Sequence, residues 1–96
     1  MDIGDLIKQY RKEKKLSQLE LAKLCNLSES YISMIEANKR APDIVVIEKL
    51  CKALDKHLHD LMLDKIIENL DVSEERKIII RQAKKIMNLM ISNDSN

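Results

Sequence analysis

Glu29, Ser30, Ser33 and Met34 fall at i, i+1, i+4 and i+5, so on a helix they share one side. Their chemistry is contact chemistry rather than catalysis. A carboxylate accepts hydrogen bonds, two hydroxyls donate and accept, and a thioether offers an apolar tip. Tyr31 stands at the edge of this set, and Ser28 precedes it. Asn38, Lys39 and Arg40 follow, an amide and two cations suited to anionic oxygens. No nucleophile with its base and acid, no glycine-rich phosphate loop and no metal-ligand cluster is spelled out in the 96 residues. His57 and His59, two apart at a helix start, do not converge on one helical face as zinc ligands would. Cys25 and Cys51 lie on apolar helix faces and read as buried, reduced thiols. The expectation is a binding protein with no catalytic residues, cofactor or metal.

Two short helices must hold the contact residues. Ser17 can cap the first, and Glu20 three residues later completes a capping box. Leu21, Ala22 and Cys25 then form one inward face. Asn26 tolerates the left-handed backbone that ends a helix. Leu27 plugs the corner and Ser28 caps the second helix, whose Ile32 and Ile35 pack down onto the first. This is the layout of a helix-turn-helix, in which the second helix enters the DNA major groove N-terminus first. On this reading Glu29, Ser30, Ser33 and Met34, with Tyr31 beside them, face the bases, and Ser28 at the start of the helix also contacts the DNA. Gln18, the N–H groups at the start of the first helix, Asn38, Lys39 and Arg40 contact phosphates. The set has none of the Arg, Lys, Gln or Asn that make bidentate contacts to guanine or adenine. The target sequence is therefore not legible here.

The remaining elements frame that pair. Ile3, Leu6, Ile7 and Tyr10 mark the core face of a helix from about Ile3 to Lys14, with a basic end at Arg11, Lys12, Lys14 and Lys15. After Ala41-Pro42, Asp43 caps a fourth helix with a buried stripe of Ile44, Ile47, Leu50, Cys51 and Leu54. Val45 and Val46 extend its apolar surface. A fifth helix begins near Leu58 and includes Leu61 and Met62. With one Gly, one Pro and two Tyr as the only aromatic residues besides histidine, the core is aliphatic and the fold all-α.

Four stretches in order, IKQYRKEKKLSQLELA, LSESYISMIE, NKRAP and IEKLCKAL, resemble the Cro/C1 (Xre) family of DNA-binding proteins. The resemblance runs from Ile3 to about Leu63. The N-terminal half is most similar to SinR-type repressors. The family implies a five-helix, lambda-repressor-like domain over residues 1–63, and a transcriptional regulator, a repressor that binds a palindromic operator as a dimer. It implies an ion pair between Arg11 and Glu36 that orients the second helix of the motif. It supports backbone contacts by Gln18 and by the loop after that helix. Members usually carry Gly where this chain has Lys15, Asn26 and Asn38. Some members are antitoxins or regulator subunits that bind a partner protein, which is the alternative reading.

Beyond the resemblance, residues 64–92 read as a helical extension and 93–96 as a disordered tail. Ile66, Ile67 and Leu70 continue a helical pattern, Asp71-Val72-Ser73 breaks it, and Ser73 caps a last helix to about Ile91. Ile79, Ala83, Ile86 and Met90 follow at spacings of four, three and four, a heptad-type seam. Arg76, Lys77, Arg81, Lys84 and Lys85 take the remaining face. The seam suits a homodimer contact; the other reading is a helix that packs on its own domain. Glu74, Glu75 and the lack of aromatic anchors argue against a membrane-surface helix. No apolar run spans a bilayer and no basic-then-apolar signal opens the chain, so a cytoplasmic protein is expected. Residues 1–40 carry eight basic against six acidic side chains, a weak bias toward an anionic partner.

Overall fold

The computed structural model describes residues 1–94, with side-chain surroundings as far as Ile91. Its helices are α1 (Ile3–Glu13), α2 (Gln18–Cys25), α3 (Glu29–Glu36), α4 (Ile44–Ala53), α5 (Leu58–Glu68) and α6 (Glu74–Asp94). Among the described residues there is no strand, and no helix is long and apolar enough to cross a membrane. The chain divides into two units, residues 1–65 and 66–96. The division falls inside α5.

Local chemistry sets the helix starts. Ser17 Oγ accepts from the Glu20 N–H at 3.0 Å, and Glu20 Oε1 accepts from the Ser17 N–H at 2.9 Å. Ser28 Oγ and Asp43 Oδ1 accept from the N–H groups of Tyr31 and Val46. Each satisfies a donor that the first helical turn leaves unpaired. At α1 a box not read from the sequence forms, with Asp2 as cap and Asp5 as its third residue. Chain reversals use left-handed backbone at Lys15 (φ 58°), Asn26 (55°), Asn38 (57°) and Asp55 (54°). The first three are the positions where the resembled family carries Gly; Asp55 gave no such signal.

The core of the first unit is Leu6, Ile7, Tyr10, Leu21, Ala22, Cys25, Ile32, Ile35, Ile47, Leu50, Cys51, Leu54 and Leu61. One expected member is missing. Ile44 is 53% exposed, because it opens the first turn of α4 directly after its cap, where the stripe overruns the edge of the core. Val46 packs there instead, while Val45 and Met62 are exposed. The Tyr10 hydroxyl donates to Asp64 Oδ2, tying α1 to α5. Burial first, and then that hydrogen bond, push the Tyr10 pKa up. Cys25 and Cys51 are buried free thiols, both with pKa raised by burial.

In the second unit Ser73 Oγ caps α6, which continues to Asp94 rather than ending near Ile91. Residues 95 and 96 of the expected disordered tail lie outside the described residues. Lys77 Nζ donates to the Glu68 carbonyl at 2.9 Å, and Arg81 pairs with the Glu68 carboxylate. Lys77, Arg81 and Lys84 are half-buried. Ile79, Ala83, Ile86 and Met90 are all exposed, Ile79 at 65% and Ile86 at 58%. Lys77, Arg81 and Lys84 of the basic side, with Ile80, thus turn toward their own unit, while Arg76, Lys85 and the apolar seam stay exposed.

Candidate nucleic-acid interface

A buried ion pair braces α3 of the α2–α3 pair against α1. Arg11 Nε donates to Glu36 Oε2 at 2.7 Å and Nη2 to Oε1 at 2.9 Å. The third guanidinium nitrogen, Nη1, donates to the Leu16 carbonyl at 2.8 Å. Arg11 is 9% and Glu36 5% exposed. A fork-to-fork pair fixes orientation as well as distance. Here it locks the C-terminal turn of α3 against the end of α1. The Glu36 hydrogen bond raises the Arg11 pKa. Gln18 Nε2 also donates to Glu36 Oε1, at 3.2 Å. Gln18, the first residue of α2, is therefore held at that helix N-terminus by the same carboxylate.

The buried side of α3 is Ile32, Ile35 and Glu36. Glu29, Ser30 and Ser33 are exposed on the other side, and Met34 and Tyr31 are half-buried. The structure thus brings the expected reading residues together, with Met34 set deeper than its spacing implied. Ala37 is also exposed, one turn beyond Ser33. It was not among the expected residues, although a spacing of four from Ser33 was there to find it.

The loop after α3 is pinned rather than slack. The Asn38 N–H donates to the Ile35 carbonyl and the Lys39 N–H to the Met34 carbonyl, at 3.0 and 2.9 Å. Asn38 Nδ2 donates to Asp5 Oδ1 at 2.9 Å. The Asp5 carboxyl is held below the usual carboxylate range, first by the Asp2 N–H and then by this amide. Asn38, expected at a phosphate, thus spends part of its amide on holding the turn. Lys39 and Arg40 stand exposed beyond it. The Arg40 guanidinium carbon lies 5.4 Å from the centroid of the Tyr31 ring. Gly4 lets α1 come this close. A Cβ at Gly4 would lie 2.1 Å from the Ile35 carbonyl oxygen and 2.3 Å from Asn38 Oδ1. Sequence reasoning gave Gly4 and Asp5 no role, since only the tertiary approach creates one.

The His57 and His59 rings stack with centroids 5.3 Å apart. Among the described residues no group of three or more His, Cys, Asp or Glu could hold a metal ion.

The profile of the helix-turn-helix family matches residues 7–61. Over 64 residues the chain is 45% identical to the HTH-type transcriptional regulator SinR of Bacillus subtilis (strain 168), covering 66% of this chain and 58% of that protein. The chain thus spans well under two thirds of that relative's length. A crystal structure of the biofilm regulator SinR in complex with DNA superposes with a TM-score of 0.60 at 45% identity, over 64% of this chain and 98% of that one. A structure of the SinR protein/SinI protein complex superposes with a TM-score of 0.65 at 36% identity, over 99% and 100% of the two chains. With the motif, its bracing ion pair and this match in register from Ile7 to Leu61, the chain belongs to the helix-turn-helix family of the Cro/C1 (Xre) type.

Proposed function

We propose that this chain is a sequence-specific, double-stranded DNA-binding transcriptional regulator that represses by occupying a pseudo-palindromic operator as a homodimer. One observation carries the reading. The exposed side of α3 presents Glu29, Ser30 and Ser33 next to the cations Lys39 and Arg40, on a helix braced by Arg11 and Glu36. Phosphate contacts supply affinity and position; base edges supply specificity. Gln18, the α2 N-terminus, Lys39 and Arg40 take the phosphates. Ser30 and Ser33 bond to base edges, Glu29 accepts from a cytosine amino group and Met34 meets a thymine methyl. The likeness to a regulator solved with DNA supports this assignment.

The test is selection of binding sites from genomic fragments with the purified chain. A two-fold-related consensus is expected, with half-sites about 34 Å apart, one DNA turn. Lys39→Ala and Arg40→Ala should each weaken binding to every sequence and lower the salt slope by about one unit. Ser33→Ala should change preference more than affinity. Unchanged operator affinity in the triple variant would sink the assignment.

A second reading is favoured by the exposed apolar side of α6 and by likeness, over nearly the whole chain, to a structure of a regulator–partner complex. In it α6 binds a partner protein, as in an antitoxin or regulator subunit. A reading frame for such a partner beside the gene, whose product co-purifies through α6, would favour it.

A further inference from the structure

We infer that Tyr31 is a positioning residue for Arg40, its ring holding the guanidinium with the N–H edges outward as a phosphate clamp. The inference rests on the DNA-binding reading above. Arg40 is exposed and follows a turn, and a long cationic side chain in that setting would ordinarily sample many rotamers. Three features limit this one. The turn itself is fixed by left-handed Asn38, by its two backbone hydrogen bonds and by the Asn38–Asp5 contact. The Tyr31 ring is fixed from below, since it packs against the core cluster and its N–H is capped by Ser28. The guanidinium then lies 5.4 Å from the ring centroid, within cation–π range.

The chemistry suits arginine and not lysine. A guanidinium can lay its flat face on a ring and keep its N–H donors at the edge, in the fork that matches two phosphate oxygens. An ammonium attracted to the same ring would turn donors toward it. Ordering the side chain before DNA arrives lowers the entropy lost on binding. Tyr31 would therefore act on affinity through Arg40, from a place beside the reading residues rather than among them.

The test is equilibrium binding of the full chain to a labelled duplex of the selected operator, across a potassium chloride series. Tyr31→Leu should weaken binding by about two- to five-fold for each subunit on the duplex and flatten the salt dependence. Tyr31→Phe, which keeps the ring, should bind within two-fold of the wild type, by the same ring-face argument. In an Arg40→Ala background, Tyr31→Leu should cost nothing further. Arg40→Lys, which leaves the core untouched, should lose affinity although the charge is kept. A Tyr31→Phe loss equal to that of Tyr31→Leu would overturn the inference, because the hydroxyl would then be contacting DNA itself. So would full affinity in Arg40→Lys, or an undiminished Tyr31→Leu effect without Arg40. A wild type that binds no duplex would overturn the DNA reading first.

Discussion

Glu36 is the residue on which the proposed interface turns, and it is buried. Its two oxygens take both arms of the Arg11 fork, and one of them also accepts from Gln18. Removing one partner strands a buried charge, which typically costs about 3 kcal/mol or more. Glu36→Ala should therefore lower stability by about that amount, read as a lower urea midpoint at unchanged slope. A change below about 1 kcal/mol, the usual worth of an exposed pair, would show the pair to be peripheral. Gly4 is the second such residue. Its missing side chain leaves room for the Ile35 carbonyl and the Asn38 amide. Gly4→Ala raises helix propensity, yet it should destabilise by about 1–3 kcal/mol because packed backbone must shift. It should also weaken DNA binding, since the displaced turn carries Lys39 and Arg40. A melting temperature at or above that of the wild type would refute the close approach. These two residues differ in how legible they were. The Arg11–Glu36 pair came from family resemblance, because two charges 25 positions apart carry no local signal of pairing. Gly4 had no signal at all, since a glycine near a helix start is unremarkable until another helix touches it.

At the scale of elements, helix starts were the most legible part of the chain. A cap is chemistry between neighbours, so Ser17 with Glu20, Ser28, Asp43 and Ser73 could each be read without knowing the fold. The same local chemistry predicts a pH response. The Glu20 carboxyl is held below its usual range first by the Ser17 N–H and then by the Ser17 hydroxyl, and Asp5 by the Asp2 N–H and the Asn38 amide. Both pKa values are depressed in the folded state, so these groups favour folding most above the unfolded carboxyl range, about pH 4. That contribution fades as pH falls through the depressed folded values. The urea midpoint should drop between about pH 5 and pH 3, and the drop should be shallower in an Asp5→Asn, Glu20→Gln variant. Identical pH profiles for the two proteins would contradict the assignment. Stripe reading was less exact than cap reading. It identified Ile47, Leu50 and Cys51 but also included Ile44. Spacing finds the side of a helix that faces inward and says nothing about where along its length the core ends. On α3 it separated Ser30 and Ser33 from Ile32 and Ile35 correctly, yet placed Met34 further out than it lies.

At the scale of the whole molecule, recognition depends on how many helix-turn-helix motifs act together. A single helix-turn-helix offers few contacts, and a specific site at physiological salt usually requires two related by a dyad. The second unit carries a candidate for joining them. Glu68 engages Lys77 and Arg81 on the basic side of α6. Ile79, Ala83, Ile86 and Met90 are left exposed, flanked by exposed Met87, Leu89 and Ile91. An apolar side of this breadth rarely stays in water on a stable monomer. Packed against its own copy, the seam would form an isologous contact and supply the dyad that a pseudo-palindrome requires. The periodicity of the seam was legible in the sequence, but its orientation was not, because a helix with one basic and one apolar side can turn either one inward. Ile86→Asp places a charge at the middle of the seam. It should yield monomers in sedimentation equilibrium at tens of micromolar, where the wild type should be dimeric. It should also weaken operator binding by ten-fold or more, since each 1.4 kcal/mol is a factor of ten and two recognition helices would no longer bind as one. The helical spectrum and melting of residues 1–65 should be unchanged. An Ile86→Asp chain that stays dimeric would move the interface to exposed Ile44, Val45 and Met62 of the first unit. A wild type that sediments as a monomer would leave α6 to a different protein.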